Sequence, residues 1–203
     1  MRIPEQDRKR IAAAIRAAES KTSGEIVCVL AEKSSDAAAL AIFIAAVAAL
    51  ALPWLLVATT AMPVLRILSL QVVLFFTAAA LLSLPRLRVA LLPRSARRAI
   101  AHRAALEQFA VRGIANTKDR TGILVFVSLS ERYARIIADE GIAARVHQSE
   151  WQGAIDALVA HMRDGRIADG FITAIEKCGD ALARHFPLGE TKRDELRDRI
   201  YLI

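Results

Sequence analysis

The sequence predicts an α/β (α+β) protein: a small mixed sheet flanked by helices, with a two-helix transmembrane hairpin inserted into it. Three observations carry that reading. Two long stretches hold no charge, residues 37–65 and 67–85, with only Arg66 between them. Short β-branched runs that are apolar on both faces, EIVCVL at 25–30 and GILVFVSL at 122–129, have the pattern of strands covered on both sides. Segments with apolar residues at three- and four-residue spacing lie around those runs, as amphipathic helices do.

The composition fits segregation of polar and apolar parts. The chain has 203 residues, of which 55% are hydrophobic and 24% charged. Each uncharged stretch reaches the roughly 18–20 residues needed to cross about 30 Å of hydrocarbon as a helix. A charged, periodic segment precedes them, which is not the layout of a cleaved signal peptide. The net charge is +7, but most of it sits in one place. Arg86, Arg88, Arg94, Arg97, Arg98 and Arg103 follow the second stretch with no acid among them. Such a cluster beside a membrane helix marks the cytoplasmic side, and it can attract anionic headgroups. Arg86, Arg88, Arg94, Arg97 and Arg98 are therefore the residues expected at the lipid surface. Nucleic acid is not the expected partner, because no aromatics are interleaved with these arginines.

The elements follow in order. Residues 5–21 form a helix with Ile11, Ile15 and Ala18 on one side and Gly24 ending it. The strand at 25–30 comes next, with Cys28 as a small core hydrophobe. The first membrane helix covers about 37–57, with Pro53 and Trp54 near its far end. Pro63 and Arg66 mark the external connection, and the second membrane helix covers about 67–85. After Pro93, residues 94–111 form a helix with Ile100, Leu106 and Phe109 apolar. The strand at 122–129, a turn at 130–132 and the strand YARIIA at 133–138 make a hairpin. Two helices close the domain, at 149–162 and 167–186, split by the Asp164-Gly165 turn. The organisation is thus residues 1–36 as the first part of a soluble domain, 37–85 as the membrane hairpin, 86–188 as a basic juxtamembrane segment and the rest of the domain, and 189–203 as a charged tail. Both termini are expected in the cytoplasm of a cell whose inner membrane the chain crosses more than once.

For chemistry the sequence offers little. No HExxH, Gly-x-Ser-x-Gly or Walker A motif occurs. Cys28 and Cys178 are too few for a disulfide framework. One acidic set follows from hairpin symmetry. A turn at 130–132 places Asp139 opposite Ile123, and Asp119 lies just before that strand. Asp119, Asp139 and Glu140 could then converge at one sheet edge, where oxygen donors suit Ca²⁺ or Mg²⁺. If the first two strands are parallel, Glu32, Asp36, Ser130 and Glu131 line the crevice at their carboxyl ends. That end would meet a membrane partner.

The order of these pieces resembles the TPM domain family, also called TPM phosphatase. The resemblance rests on TSGEIVCVL, ALEQFAVRGI, DRTGILVFVSLSERYARIIADEGI and the closing helices around MRDGRIADGF. It implies a small mixed sheet sandwiched by helices. It also implies acid phosphatase activity and divalent metal binding, as described for family members. The family tends to carry Gly-aromatic-Gly, an acid and a following Asp after the hairpin. This chain reads Asp139-Glu140-Gly141, then Ala143, then His147-Gln148. Three functions are therefore open: a membrane-anchored, non-catalytic interaction or assembly module, which the residues favour; a metal-dependent phosphatase-like hydrolase; and a lipid-responsive module acting through the arginine cluster.

Overall fold

The computed structural model describes residues 3–32, 38–83, 93–188 and 196–203. Asp36, Arg86 and Arg88 lie outside the described residues, as do the hairpin ends at Ala37 and Pro85 and residues 189–195 of the charged tail. Two compact units emerge, one made of Met1–Ser34 with Arg98–Ile203 and the other of Ser35–Arg97.

The first unit opens with α1 (Glu5–Glu19), which buries Ile11, Ile15 and Ala18. Glu5 and Asp7 lie in its first turn, where carboxylates offset the helix dipole. The helix stops at Ser20, ahead of Gly24. Strand β1 (Glu25–Ala31) follows and is buried along its whole length. Helix α4 (Arg94–Val111) has the expected bounds. Its buried residues are Ala101 and Ala105, however, and Leu106 is exposed. Ala105 packs in one core layer with Val27, Val29, Leu124 and Phe126 of the sheet. A short 3-10 turn (Ile114–Asn116) leads to β2 (Gly122–Ser128), and β3 (Tyr133–Ala138) has the expected limits. Then come α5 (Glu140–Ala143), a 3-10 turn (Gln148–Trp151), α6 (Gln152–Arg163) and α7 (Ile167–His185).

The sheet order is β3-β2-β1-β4, where β4 is Ile200–Leu202. Strands β1 and β2 are parallel, β2 and β3 antiparallel. β4 lies within the segment read as a charged tail. It runs parallel to β1 with Cys28 opposite Ile200, and the guanidiniums of Arg112 and Arg199 lie over the Tyr201 ring, 3.9 and 4.6 Å from its centroid. Alternation of side chains divides the core into two layers. Ile26, Cys28, Leu30, Ile123, Val125, Val127 and Ile136 face α1, α6 and α7. Val27, Val29, Leu124 and Phe126 face Ala105 of α4, Ile114 and Tyr201.

The hairpin register differs by one residue from hairpin symmetry. Ile123 pairs with Ala138, and Asp139 donates its N–H to the Gly122 carbonyl at 2.9 Å. The cause is a four-residue turn in place of three. Its closure has the Arg132 N–H donating to the Leu129 carbonyl at 3.2 Å, with Arg132 at φ 51°. A left-handed conformation costs a non-glycine residue roughly 1–2 kcal/mol.

The second unit contains α2 (Ala38–Thr59) and α3 (Val64–Ser83). Arg66 lies in the first turn of α3, so the connection is residues 60–63 and the helix starts three residues before the expected Ile67. Pro63 sets this start, since proline suits a position just before or at the first helical turn. Two spans, Ile42–Thr59 and Val64–Leu82, are long and apolar enough to cross a membrane. Ala45, Ala49 and Ile67 are buried, whereas Phe43, Trp54 and Phe76 are 65%, 81% and 66% exposed. Small residues let the two helices approach. The hydroxyls of Thr60 and Ser69 donate to the carbonyls of Leu56 and Leu65, four residues back, at 2.6 and 2.8 Å. Polar side chains on an apolar helix are thereby satisfied internally.

Candidate functional site

Two ends of the sheet hold the candidate residues. At the amino end of β2, the loop carrying Asp119 and Arg120 runs against the start of α5. Contact there is close: a Cβ on Gly141 would stand 2.6 Å from the Arg120 carbonyl oxygen and 2.9 Å from that of Asp119. Glycine is required for that approach. Asp139 is buried and caps α5, its Oδ1 accepting the Glu140 N–H at 2.7 Å. The Arg120 guanidinium donates to Glu140 and lies 3.9 Å from Asp139 Oδ2. Arg120 also has a positive φ of 51°. Asp119 is exposed, and among the described residues its side chain has no hydrogen bond or ion pair. The three predicted acids thus share one edge, but the positive charge among them comes from Arg120. Among the described residues no group of three or more His, Cys, Asp or Glu is arranged to hold a metal ion. A divalent ion therefore fits this edge poorly, since it would have to displace or repel a guanidinium. One atom runs the other way: Asp139 Oδ2 is buried and accepts no hydrogen bond.

At the carboxyl ends of β1 and β2, the turn is tied back to β1. The Ser130 N–H and hydroxyl both donate to the Glu32 carbonyl, at 3.2 and 2.6 Å. Glu131 folds inward and accepts the Ser128 hydroxyl. Glu32, Ser130 and Glu131 therefore meet at this end, as the parallel pairing requires.

Residues 84–181 match the family described as the TPM domain. The chain carries a TPM domain. The BA42 protein of the psychrophilic bacterium Bizionia argentinensis sp. nov., solved by NMR, is similar in fold, with a TM-score of 0.62. It is 22% identical, over 100% of this chain and 96% of its own. No curated protein gives a significant match. The matched segment includes β2, β3 and the closing helices, but β1, the partner of β2, comes from before the apolar hairpin.

Beside the TPM domain's sheet lies a buried acidic group that periodicity does not reveal. Glu19 is 5% exposed and its Oε1 accepts the Ile26 N–H at 2.6 Å. Burial, opposed by that bond and reinforced by the carboxylates of Glu25 and Asp198, pushes its carboxyl up to about 8. Glu25 accepts the Leu196 N–H at 2.9 Å, so it holds the segment that delivers β4. The signal in the sequence is a glutamate opening a strand that is otherwise apolar on both faces. The cysteines behave as hydrophobes: burial pushes the Cys178 thiol to about 12 and raises Cys28 well above its ordinary value. Neither supplies a thiolate near neutral pH.

Proposed function

We propose that this chain is a membrane-anchored protein whose TPM domain serves as a non-catalytic interaction or assembly module at the cytoplasmic face of a bacterial inner membrane. The observation that carries the anchoring is the exposed apolar surface of α2 and α3, with Trp54, Phe43 and Phe76 outward. Soluble monomers rarely expose apolar patches beyond a few hundred Å². Support for a non-catalytic role comes from Arg120, which supplies the charge that a cation would bring to Asp139 and Glu140. The hairpin crosses twice and leaves both termini in the cytoplasm. An arginine cluster follows the second span and lysines and arginines occur in the segment before the first, whereas Arg66 alone lies near the outer connection. Arg94, Arg97 and Arg98, at the start of α4, contact the lipid surface together with Arg86 and Arg88. Reporter fusions after Thr60 and at the carboxyl terminus are expected to give opposite topology signals. Equal signals would reject the hairpin.

The second reading is a divalent-metal-dependent phosphatase-like hydrolase, with Asp119, Asp139 and Glu140 as ligands to Ca²⁺ or Mg²⁺. The buried Oδ2 of Asp139, which accepts no hydrogen bond, favours it. Calorimetry and a generic phosphomonoester assay separate the two. The interaction module predicts no saturable calcium heat and no turnover with or without metal. Saturable binding that disappears in the double variant Asp139→Asn, Glu140→Gln, together with turnover, would transfer the function to the hydrolase.

A further inference from the structure

The turn between β2 and β3 combines three features that local folding does not explain. Its last residue, Arg132, holds φ 51° where glycine would sit without cost. Strain of this kind persists where the surrounding structure has a use for it. Arg132 also lines a cleft of about 540 Å³ with Arg163 of α6, Tyr133, Val159 and Met162. Among the described residues, neither guanidinium has a hydrogen bond or an ion pair. The nearby acids are engaged elsewhere. Glu131 turns under the strand end to accept from Ser128, and Asp164 pairs with Arg166 at 2.9 Å. Two unpaired guanidiniums over an apolar wall suit an oxyanion carried on an apolar stem.

We propose that the Arg132–Arg163 cleft binds the phosphodiester of an anionic lipid headgroup, with Val159 and Met162 against its apolar stem. Charge complementarity selects an anion, and chain connectivity selects the membrane as its source. Ser130 in the same turn is bonded to Glu32, and α2 begins only a few residues later, at Ala38. This inference rests on the membrane anchoring proposed above. It assigns a second lipid contact, distinct from the arginines at the start of α4.

The test uses the full chain in nanodiscs of phosphatidylcholine alone and of phosphatidylcholine with phosphatidylglycerol. Co-elution with the discs checks anchoring separately; a chain that leaves the discs overturns the anchoring and not the chemistry of the cleft, which dimethyl phosphate then probes in solution. Amide hydrogen exchange at residues 129–132 is the readout. Phosphatidylglycerol is expected to slow it by about tenfold, the factor that one charge-assisted hydrogen bond supplies. Within Arg132→Gly and Arg163→Gln, each compared across the two discs, the slowing is expected to vanish. Arg132→Gly should unfold at a temperature no lower than the wild type, because glycine relieves the backbone, so its loss of protection is not a loss of fold. Equal exchange in both discs, or variants that keep the slowing, overturns the proposal. Slowing by dimethyl phosphate but not by phosphatidylglycerol overturns the lipid as source.

Discussion

A fragment spanning residues 97–203 is expected to show no cooperative unfolding transition. Removing residues 1–96 deletes β1, which lies between β2 and β4 in the sheet. β4 then loses its partner, and β2 presents a fully apolar edge, a template for aggregation. The larger core layer also loses Ile11, Ile15, Ile26, Cys28 and Leu30. Truncation of one buried aliphatic side chain to alanine costs about 2–5 kcal/mol. A whole domain is stable by only about 5–15 kcal/mol, so removing this many exceeds the margin. Joining Lys33 to Arg97 through a short flexible linker, without the hairpin, is expected to restore a soluble, cooperatively melting protein. Thermal melts followed by circular dichroism, with amide dispersion by NMR, distinguish the two chains. A sharp transition in the 97–203 fragment would show that the amino-terminal segment is dispensable.

The second large effect concerns pH. Glu19 is held protonated up to about pH 8 by burial, against an ordinary value of 4.5. Between those values the folded chain keeps a proton that the unfolded chain has released. Its stabilising contribution is complete below pH 4.5 and is lost as pH rises through about 8. Over that window this one group lowers stability by at most about 1.4 kcal/mol per pH unit. Glu19→Gln retains a carbonyl oxygen for the Ile26 N–H and cannot ionise. Its stability profile is therefore expected to be flatter than that of the wild type, with the variant the more stable of the two above pH 8. Urea titrations at acidic, neutral and alkaline pH measure the difference. Parallel profiles would mean that Glu19 does not hold the proton.

The pH dependence also bears on the carboxyl terminus. Glu25 and Asp198 face Glu19, and Glu25 holds the Leu196 N–H. Ionisation of Glu19 adds repulsion where the last segment joins the sheet. Hydrogen exchange at residues 200–203 is the local companion to the urea series.

Much of this fold was written in short-range pattern. The two long apolar helices follow from length and near-absence of charge alone, and both are long and apolar enough to cross a membrane. EIVCVL and GILVFVSL announce strands buried on both faces, and both are. YARIIA and the helix at residues 94–111 have the limits their sequence implies. Tertiary structure decided the rest. Ile200–Leu202 is too short for any period and becomes a strand only because β1 has a free edge to pair with. The register at Asp139 shifts by one because Arg132 adopts a backbone conformation that its residue type disfavours. Arg120 reaches Glu140 because Gly141 lets two loop backbones approach. Glu19 gains its proton from burial among groups far along the chain, Asp198 among them. Periodicity records which side of an element meets the core, and that is a local property. Which charge meets which, and how deeply, depends on contacts between residues far apart in sequence, so it is settled only when the sheet closes.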